Sequence, residues 1–482
     1  MNTNNTTTKS TEKMTNFRWG VCALLFIATT INYLDRQALS LTWRDFIAPQ
    51  FHWNDSHYGI VTGYFSLIYA CCMLFAGKII DKLGSKSGYQ WAISIWSAAA
   101  CLHAICGWAT VHIAGLESSA ALKTIESGSA MALAVASIST WLFLGCRCLL
   151  AAGEAGNFPA AVKAAAEYFP AKDRAFATSI FNAGSSAGAL AAPLMIPLLA
   201  KYWGWEAAFL VVGSLGFLWM GLWGYFYRAP EVNPRVNKAE LNYIRQDILS
   251  EPTKTEKKLS ILRAFTLRQT WALLLERLVT DGVWWFFLFW TPSYLSDRYG
   301  YTSSSTQGMV LITLLYAIVS FLSIFLCKIP TYLVEKRGRN PYEARLLSMF
   351  FFACLPLLAI LAQPLGDYSA WWPAIIIGIA CAGHQAWSAN IYAAVGDMFD
   401  RCAIGTVTGI AGLAAGCGSF IVNYSAGRLF TYSDSLGAAF TFMGYSGKEA
   451  GYMIVFCYCS VAYLIGWACM KILVPRYMKV EI

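Results

Sequence analysis

The most chemically informative residues of this chain are ionisable side chains that interrupt long apolar stretches. A charge at the centre of a membrane-spanning helix costs roughly 2.5–3.5 kcal/mol on the insertion scale, so such residues usually mark a function. Buried carboxylates can take up and release protons, and guanidinium groups can bind a solute's carboxylate through paired hydrogen bonds. The side chains of this kind are Asp35, Arg36, Arg147, Glu154, Arg277 and Asp281.

The spacing of the first four residues predicts where they point. Arg147 and Glu154 are seven residues apart, so a helix brings them within about 20° of one face and about 10 Å apart along its axis. Asp35 and Arg36 are adjacent and diverge by about 100°, so they cannot pair with each other. We predict that Asp35 and Glu154 carry protons and that Arg36 and Arg147 bind an anionic group. The alternative is a set of structural salt bridges between helices.

Arg277 and Asp281 have a different spacing. They are four residues apart, so they can pair on their own helix. A purely structural pair and a gating role both remain open for them at this stage.

The elements that must position these residues follow from composition. Of the 482 residues, 57% are hydrophobic and 13% are charged, whereas soluble domains carry about 25% charged residues. The apolar runs are continuous and do not alternate, which predicts an all-α polytopic membrane protein and not a β-barrel. The predicted transmembrane helices, 12 in all, lie at 19–40, 57–80, 88–112, 131–155, 175–200, 206–227, 270–295, 307–330, 346–365, 371–396, 403–430 and 450–474.

The basic residues predict the orientation. Most of the 36 Lys and Arg fall in segments that share one side if the N-terminus is cytoplasmic, so both termini are predicted to be cytoplasmic. This distribution also explains the net charge of +9 without a nucleic-acid partner. The polar start of the chain predicts a cytoplasmic tail and not a cleaved signal peptide. The predicted organisation is a tail (1–17), a six-helix bundle (18–227), a cytoplasmic connector (228–269) with a short amphipathic helix at 239–249, a second six-helix bundle (270–474) and a tail (475–482).

A glycine-rich loop between predicted spans 2 and 3 has a weaker copy between spans 8 and 9. Asp81, Lys82 and Gly84 of 77–86 occupy the same relative positions as Glu335, Lys336 and Gly338 of 331–340, which is what two repeated halves would produce. Glycines permit tight turns and an acid at a helix end can bind a neighbouring base, so we predict a conformational latch. The alternative is a short positive loop that only sets topology. The predicted latch residues are Gly77, Asp81, Lys82, Gly84 and Lys86.

The loop at 77–86 resembles the signature of the major facilitator superfamily. Three further segments resemble its anion:cation symporter branch: 32–36, 147–159 and 168–174. Within that branch, the chain is similar to bacterial hexuronate transporters at 154–166, 182–188, the block from Trp284 to 290–292, and 382–386. The resemblance implies the major facilitator fold. It also implies that Arg36 contacts the substrate acid, that Arg147 pairs with Glu154, and that an arginine and an acid at the positions of Arg277 and Asp281 take part in gating.

A sugar acid also presents hydroxyl groups, which polar and aromatic side chains can bind. For a single aromatic residue the alternative is packing or an interfacial position, whereas Gln385 and Asn390 lie deep in an apolar run, which favours a cavity role. The resemblance places Tyr69 and Ser185 at substrate-contacting positions. The predicted lining comprises Tyr33, Tyr69, Ser185, Trp284, His384, Gln385, Ser388 and Asn390.

Predicted span 11 departs from one related group. Related galactonate carriers have a substrate-binding Asn there, but residues 409–418 are only Gly, Ala, Ile, Leu and Cys, which counts against galactonate-type recognition. Small residues at 405, 409, 412, 416 and 418 instead predict close helix packing.

These observations predict a proton-coupled symporter of a hexuronate such as glucuronate or galacturonate, in the bacterial inner membrane. The alternative on the same architecture is a carrier of another organic anion or phosphate, coupled to protons or sodium. An enzyme or receptor is not supported, because no nucleophile–base pair, metal-ligand spacing or phosphate-binding loop occurs. The expected partners are the sugar acid and the lipid bilayer, with the proton as coupling ion, no cofactor or metal, no nucleic acid and a monomeric state.

Overall fold

The computed structural model describes residues 13–246, 260–399 and 401–480. Parts of both predicted tails and of the predicted connector therefore lie outside the described residues. Almost all of the described chain is helical, which confirms the predicted all-helical class. A short hairpin is the strand element of this part of the chain: β1 (Thr441–Phe442) pairs antiparallel with β2 (Tyr445–Ser446).

The first half of the chain forms ten helices, and several of their ends have clear local causes. The Asn54 side chain accepts a hydrogen bond from the His57 amide before α3, and Ser129 does the same for Ala132 before α7, as N-cap residues do. The helices are α1 (Phe17–Thr42, continued by a π-helical turn, Trp43–Ile47), α2 (Ala48–Phe51), α3 (Asp55–Leu83), α4 (Ser85–His103), α5 (Cys106–Ile113), α6 (Ala121–Thr124), α7 (Ala130–Glu154), α8 (Asn157–Tyr168), α9 (Ala171–Trp203) and α10 (Trp205–Phe226).

The connector and the second half contribute the remaining helices. Short 3₁₀ turns occupy Pro230–Val232, Pro356–Leu361 and Gly437–Ala439. The amphipathic helix predicted at 239–249 is present as α11, and its predicted last residues lie outside the described chain. The helices are α11 (Lys238–Ile244), α12 (Ile261–Ala264), α13 (Arg268–Tyr299), α14 (Thr306–Leu326), α15 (Lys328–Arg337), α16 (Pro341–Cys354), α17 (Ala362–Gly366), α18 (Trp371–Met398), α19 (Arg401–Leu436) and α20 (Gly447–Leu473).

Length and hydropathy identify the helices that can cross a membrane. Within the described ranges, 9 helices qualify, or 10 if α4 and α5, which are bent by 53° to each other, form one span. The helices α13 and α18 coincide with predicted spans 7 and 10 and contain 32 and 28 residues, but their polar side chains lower their mean hydropathy. This criterion therefore supports a polytopic membrane protein with fewer spans than the sequence predicted.

Two predicted spans are broken rather than continuous. The third divides where the buried His103 ring bonds the Ala99 carbonyl at 2.7 Å, at the end of α4. The ninth divides at Pro356, because proline lacks an amide hydrogen and its ring clashes with the preceding helical turn.

The two halves of the chain meet along α3 and α19, where glycines bring the backbones together. A Cβ at Gly59 would lie 3.0 Å from the Gly427 Cα, and a Cβ at Gly416 would overlap the Ala70 side chain. A Cβ at Gly418 would likewise overlap the backbone of α13. Close packing predicted for the small residues of span 11 is thus confirmed at Gly416 and Gly418.

Other glycines of these two helices do not make such contacts. A Cβ at Gly409 would meet only the Leu74 side chain, at 3.3 Å, and Cβ atoms at Gly405, Gly412 and Gly77 would meet nothing within 4 Å. The prediction of close packing is therefore wrong at positions 405 and 412. The close backbone contacts between the halves lie around Gly59 and Gly416.

Polar contacts between the halves are concentrated near the first residues of α3. Arg44 pairs with Asp297, Lys448 lies 2.6 Å from the same Asp297, and Lys448 also lies 2.8 Å from Asp55. We call these four residues the end cluster. Each half contributes one acid and one base, and the pairs Arg44–Asp297 and Lys448–Asp55 both cross between the halves, so the end cluster ties the first half to the second.

Candidate functional site

A buried ion pair forms the centre of the candidate site. Arg36 of α1 donates from Nε at 3.0 Å and from Nη2 at 2.6 Å to the same oxygen, Oε2, of Glu154 on α7. The side chains are 4% and 0% exposed, so neither charge is balanced by water. The second oxygen, Oε1 of Glu154, is buried and has no hydrogen-bond partner among the described residues.

Aromatic rings surround the Arg36 guanidinium. Its Cζ lies 5.2 Å from the Tyr33 ring centroid, 4.8 Å from that of Tyr69 and 5.0 Å from that of Trp285. Cations over aromatic faces at these distances are stabilised, more so where water is excluded. Tyr33 and Tyr69 belong to the first half and Trp285 to α13 of the second half, so the guanidinium lies where the two halves face each other.

The pairing of Glu154 with Arg147 is a wrong prediction for this structure. Two residues seven positions apart on one helix are separated by about 10 Å along its axis, and Arg36 of the neighbouring α1 occupies the space between them. Arg147 instead directs Nη2 toward the Arg36 carbonyl oxygen at 3.5 Å and lies 5.2 Å from the Phe65 ring centroid. It is 2% exposed and supports α1 beside the ion pair.

Asp35 is buried next to this pair without sharing it. Both of its carboxylate oxygens lack a hydrogen-bond partner in the described chain, and the residue is 2% exposed. Arg147 is the neighbouring basic group and Glu154 the neighbouring acid. Asp35 and Arg36 do not pair with each other, as the 100° divergence predicts. A proton-carrying role for Asp35 stays a prediction.

In the second half, Arg277 and Asp281 pair on α13. Arg277 Nη1 donates to both Asp281 oxygens, at 3.0 and 2.8 Å, which confirms that the i,i+4 spacing forms an intrahelical bond. The Arg277 Cζ lies 4.5 Å from the Tyr392 ring centroid. Their gating role stays a prediction.

Other predicted lining residues have local partners. Trp284 stacks on His384 with centroids 5.1 Å apart, and Nδ1 of His384 lies 2.6 Å from the Tyr463 hydroxyl. Asn390 is buried and its Nδ2 donates to the Ala386 carbonyl of its own helix.

The remaining lining candidates are half-buried. Ser185 donates to the Asn182 carbonyl on α9, and Gln385 and Ser388 lie on α18 with part of their surfaces accessible. Substrate binding by any of these residues stays a prediction.

The predicted latch loop makes its contacts inside the first half. Lys163 of α8 lies 3.0 Å from Asp81 Oδ1, and the Lys86 carbonyl accepts from the indole of Trp223 at 3.3 Å. Gly84 and Gly338 both have positive φ, 79° and 61°, which glycine adopts readily, but their ψ angles of 160° and 24° differ, so the two turns are not the same. In this conformation the loop fastens α3 to α8; a latch between bundles, including Gly77 and Lys82, stays a prediction.

Three residues near the site escaped sequence reasoning. Trp285 contacts Arg36 where its neighbour Trp284 was predicted, Tyr392 covers Arg277, and Glu276 is completely buried in α13. The signal for Glu276 is present in the sequence, because it directly precedes Arg277 in the same apolar helix. In the described ranges, no group of His, Cys, Asp and Glu could hold a metal ion.

Comparison with known proteins identifies a family and several transporters to which this chain is similar in sequence. The family model of the Major Facilitator Superfamily matches residues 25–423. The "Hexuronate transporter" of Escherichia coli K12 is 27% identical over 88% of this chain and 90% of its own length. The "Galacturonate transporter" of Dickeya chrysanthemi is 28% identical over 63% of this chain and 79% of its own length.

A third relative and a solved structure complete the comparison. The "Probable galactarate/D-glucarate transporter" of Bacillus subtilis 168 is 27% identical over 90% of this chain and 90% of its own length. A crystal structure of a bacterial homologue of the human lysosomal transporter Spinster has a TM-score of 0.67 at 19% identity and covers 95% of this chain and 97% of its own. The structural likeness establishes a shared fold.

Proposed function

This chain belongs to the Major Facilitator Superfamily, and from that premise we propose that it is a secondary transporter that carries a hexuronate into the cell together with protons. It is an integral membrane protein with many apolar helices. The resemblance to hexuronate and galacturonate transporters supports a sugar acid as substrate. The relative named for galactarate and D-glucarate supports an alternative, a sugar acid with two carboxylates.

The observation that carries the proposal is the ion pair between Arg36 and Glu154. Glu154 occupies the Nε–Nη2 edge of the Arg36 guanidinium, and in this proposal the substrate carboxylate binds at that edge and replaces Glu154. If Glu154 takes up a proton, it loses its charge and releases Arg36 for the substrate. Substrate and proton then bind together, which is the requirement for symport. Proton uptake by Asp35 beside Arg147 is the second candidate for the coupling step.

The finer topology is also a proposal. We propose 12 spans in two bundles of six. They are the 9 helices identified by hydropathy, the bent pair of α4 and α5 as one span, and the helices α13 and α18. The basic loops support cytoplasmic termini and the bacterial relatives support the inner membrane. With that orientation, the end cluster is periplasmic.

The test is uptake into proteoliposomes with a panel of labelled acids. Glucuronate and galacturonate should accumulate under an inward proton gradient, whereas galactarate, galactonate, glutamate and phosphate should accumulate less. Accumulation of galactarate alone would favour the dicarboxylate alternative. Uptake driven by sodium and not by protons would refute proton coupling.

Variants separate coupling from binding in the same assay. Glu154→Gln should abolish gradient-driven accumulation while exchange of internal for external substrate survives, because exchange needs no change of protonation. Glu126→Gln, the same substitution at an exposed loop position, is the matched control. If Glu154→Gln still accumulates substrate, Glu154 is not the coupling carboxyl, and Asp35→Asn is the next variant to measure.

A further inference from the structure

Glu276 is a fully buried carboxylate that the proposed mechanism does not use. It lies on α13 and is 0% exposed. Its Oε1 accepts from the indole N–H of Trp387 on α18 and from the Thr280 hydroxyl at 3.2 Å. Its Oε2 is buried and accepts no hydrogen bond from the part of the chain that the structure describes.

No basic group of the described chain forms an ion pair with Glu276. Arg277 is the next residue, so it points about 100° away, and its guanidinium is engaged by Asp281. An unpaired buried carboxylate carries a penalty of several kcal/mol. Protonation removes the charge and with it most of that penalty.

The surroundings of Glu276 are closed by α18 and α20. A Cβ at Gly466 of α20 would lie 2.7 Å from the Thr280 methyl group and 3.6 Å from the Glu276 Cγ, so glycine lets α20 cover the carboxyl. The Trp387 ring also packs against Tyr463, with centroids 5.5 Å apart.

The titratable and charged groups around Glu276 come from two helices. Its own helix contributes Arg277 and Asp281, and α20 contributes Tyr463 and Cys469, whereas α18 contributes the neutral indole of Trp387. The one positive charge among them, Arg277, is paired with Asp281, so the ionised carboxylate is held by two neutral donors, Trp387 and Thr280, and by no ion pair of its own.

We propose that Glu276 is a second proton-binding site of the transporter, located in the second half of the chain and separate from the site at Glu154. A proton bound at Oε2 gives a neutral carboxylic acid, and its release to water leaves a carboxylate held by Trp387 and Thr280. Movement of α18 or α20 would expose the carboxyl and permit that release. This inference rests on the proposed function, because it concerns protons carried with the substrate.

Measuring the number of protons transported per substrate molecule tests the proposed proton site at Glu276 directly. In proteoliposomes with the membrane potential clamped at zero, each coupled proton allows about tenfold accumulation per pH unit of gradient. Glu276→Gln should therefore lower the limiting accumulation about tenfold per pH unit relative to wild type while uptake remains gradient-driven. Unchanged limiting accumulation in a folded Glu276→Gln variant would overturn the proposal.

Infrared difference spectroscopy on the reconstituted protein gives an independent measurement. The C=O stretches of protonated Glu154 and Glu276 should both disappear between low and high pH in wild type. The component that belongs to Glu276 should be absent in Glu276→Gln and present in Glu154→Gln. Trp387→Phe removes one hydrogen-bond donor to the ionised carboxylate. In this variant the Glu276 band should therefore disappear at a higher pH than in wild type. An identical difference spectrum for wild type and Glu276→Gln would refute the site.

The two proposals can fail separately. If wild type moves no sugar acid with protons, the proposed function fails, and the infrared band still reports whether Glu276 titrates. If wild type is a proton symporter but the band and the limiting accumulation do not depend on Glu276, only the second site fails.

Discussion

Replacing Glu154 by glutamine should make substrate binding tighter and independent of pH. Gln keeps the size of Glu154 and one acceptor oxygen but carries no charge. In the structure, two donors of Arg36 converge on one Glu154 oxygen in a buried setting. An arriving substrate carboxylate must break this pair in wild type, whereas in Glu154→Gln it displaces only a neutral amide.

The magnitude follows from the contacts that are exchanged. Close ion pairs have coupling energies of about 1.5–7 kcal/mol. Both hydrogen bonds from Arg36 go to one Glu154 oxygen and the other oxygen has no partner among the described residues, so we use the lower end of this range for the Arg36–Glu154 pair. A difference of about 1.5–3 kcal/mol corresponds to roughly ten- to hundredfold tighter binding in Glu154→Gln at high pH. At low pH, where Glu154 is protonated in wild type, the two proteins should bind equally well.

The assay is equilibrium binding of labelled hexuronate over a pH series. Wild-type affinity should fall about tenfold per pH unit above the pH at which Glu154 ionises, because binding then requires the uptake of one proton. Glu154→Gln should give a flat profile, and Glu126→Gln should follow wild type. A Glu154→Gln variant that keeps the wild-type slope, or that binds more weakly at high pH, would refute the competition between Glu154 and the substrate for Arg36.

Three further perturbations test other parts of the structure. Arg36→Lys should weaken hexuronate binding roughly tenfold or more, because lysine lacks the planar fork; wild-type affinity in equilibrium binding would contradict this. Asp297→Asn removes the acid shared by Arg44 and Lys448, so amide hydrogen exchange at residues 44–59 should become faster, and an unchanged rate would show that the end cluster does not hold the halves together. Glu240→Gln should lower the thermal unfolding midpoint by an amount equivalent to about 2–4 kcal/mol, because buried Glu240 accepts from the Phe17 and Arg18 amides and pairs with the Arg18 side chain; an unchanged midpoint would contradict this account.

Sequence periodicity predicted relationships within a helix well. The bond between Arg277 and Asp281 and the divergence of Asp35 from Arg36 follow from the 100° step per residue, and the structure contains both. The apolar runs predicted most helix positions to within a few residues. These properties depend on one helix at a time, so a single sequence contains the information for them.

Relationships between helices could not be predicted in the same way. The partner of Glu154 depends on how α1 rotates against α7, and a rotation of one residue also decides that Trp285 and not Trp284 faces Arg36. The partners of Glu276 also come from another helix, because the Trp387 indole reaches it from α18. The breaks in α4–α5 and at Pro356 depend on buried side-chain contacts and on local backbone sterics.

Charge balance links the two proposed proton sites to the electrical behaviour of transport. In the first half, Arg36 and Arg147 offset Asp35 and Glu154, and Arg277 offsets Asp281 in the second. A substrate monoanion adds one negative charge to this neutral set, and the proton on Glu154 restores neutrality, which avoids the cost of an unpaired buried charge. Transport with this proton alone moves no net charge.

A second proton at Glu276 makes each transport cycle move one positive charge inward. An inside-negative membrane potential should therefore increase hexuronate accumulation in wild type and have no effect in Glu276→Gln. Potential-independent accumulation in wild type would mean that Glu276 keeps its proton throughout the cycle.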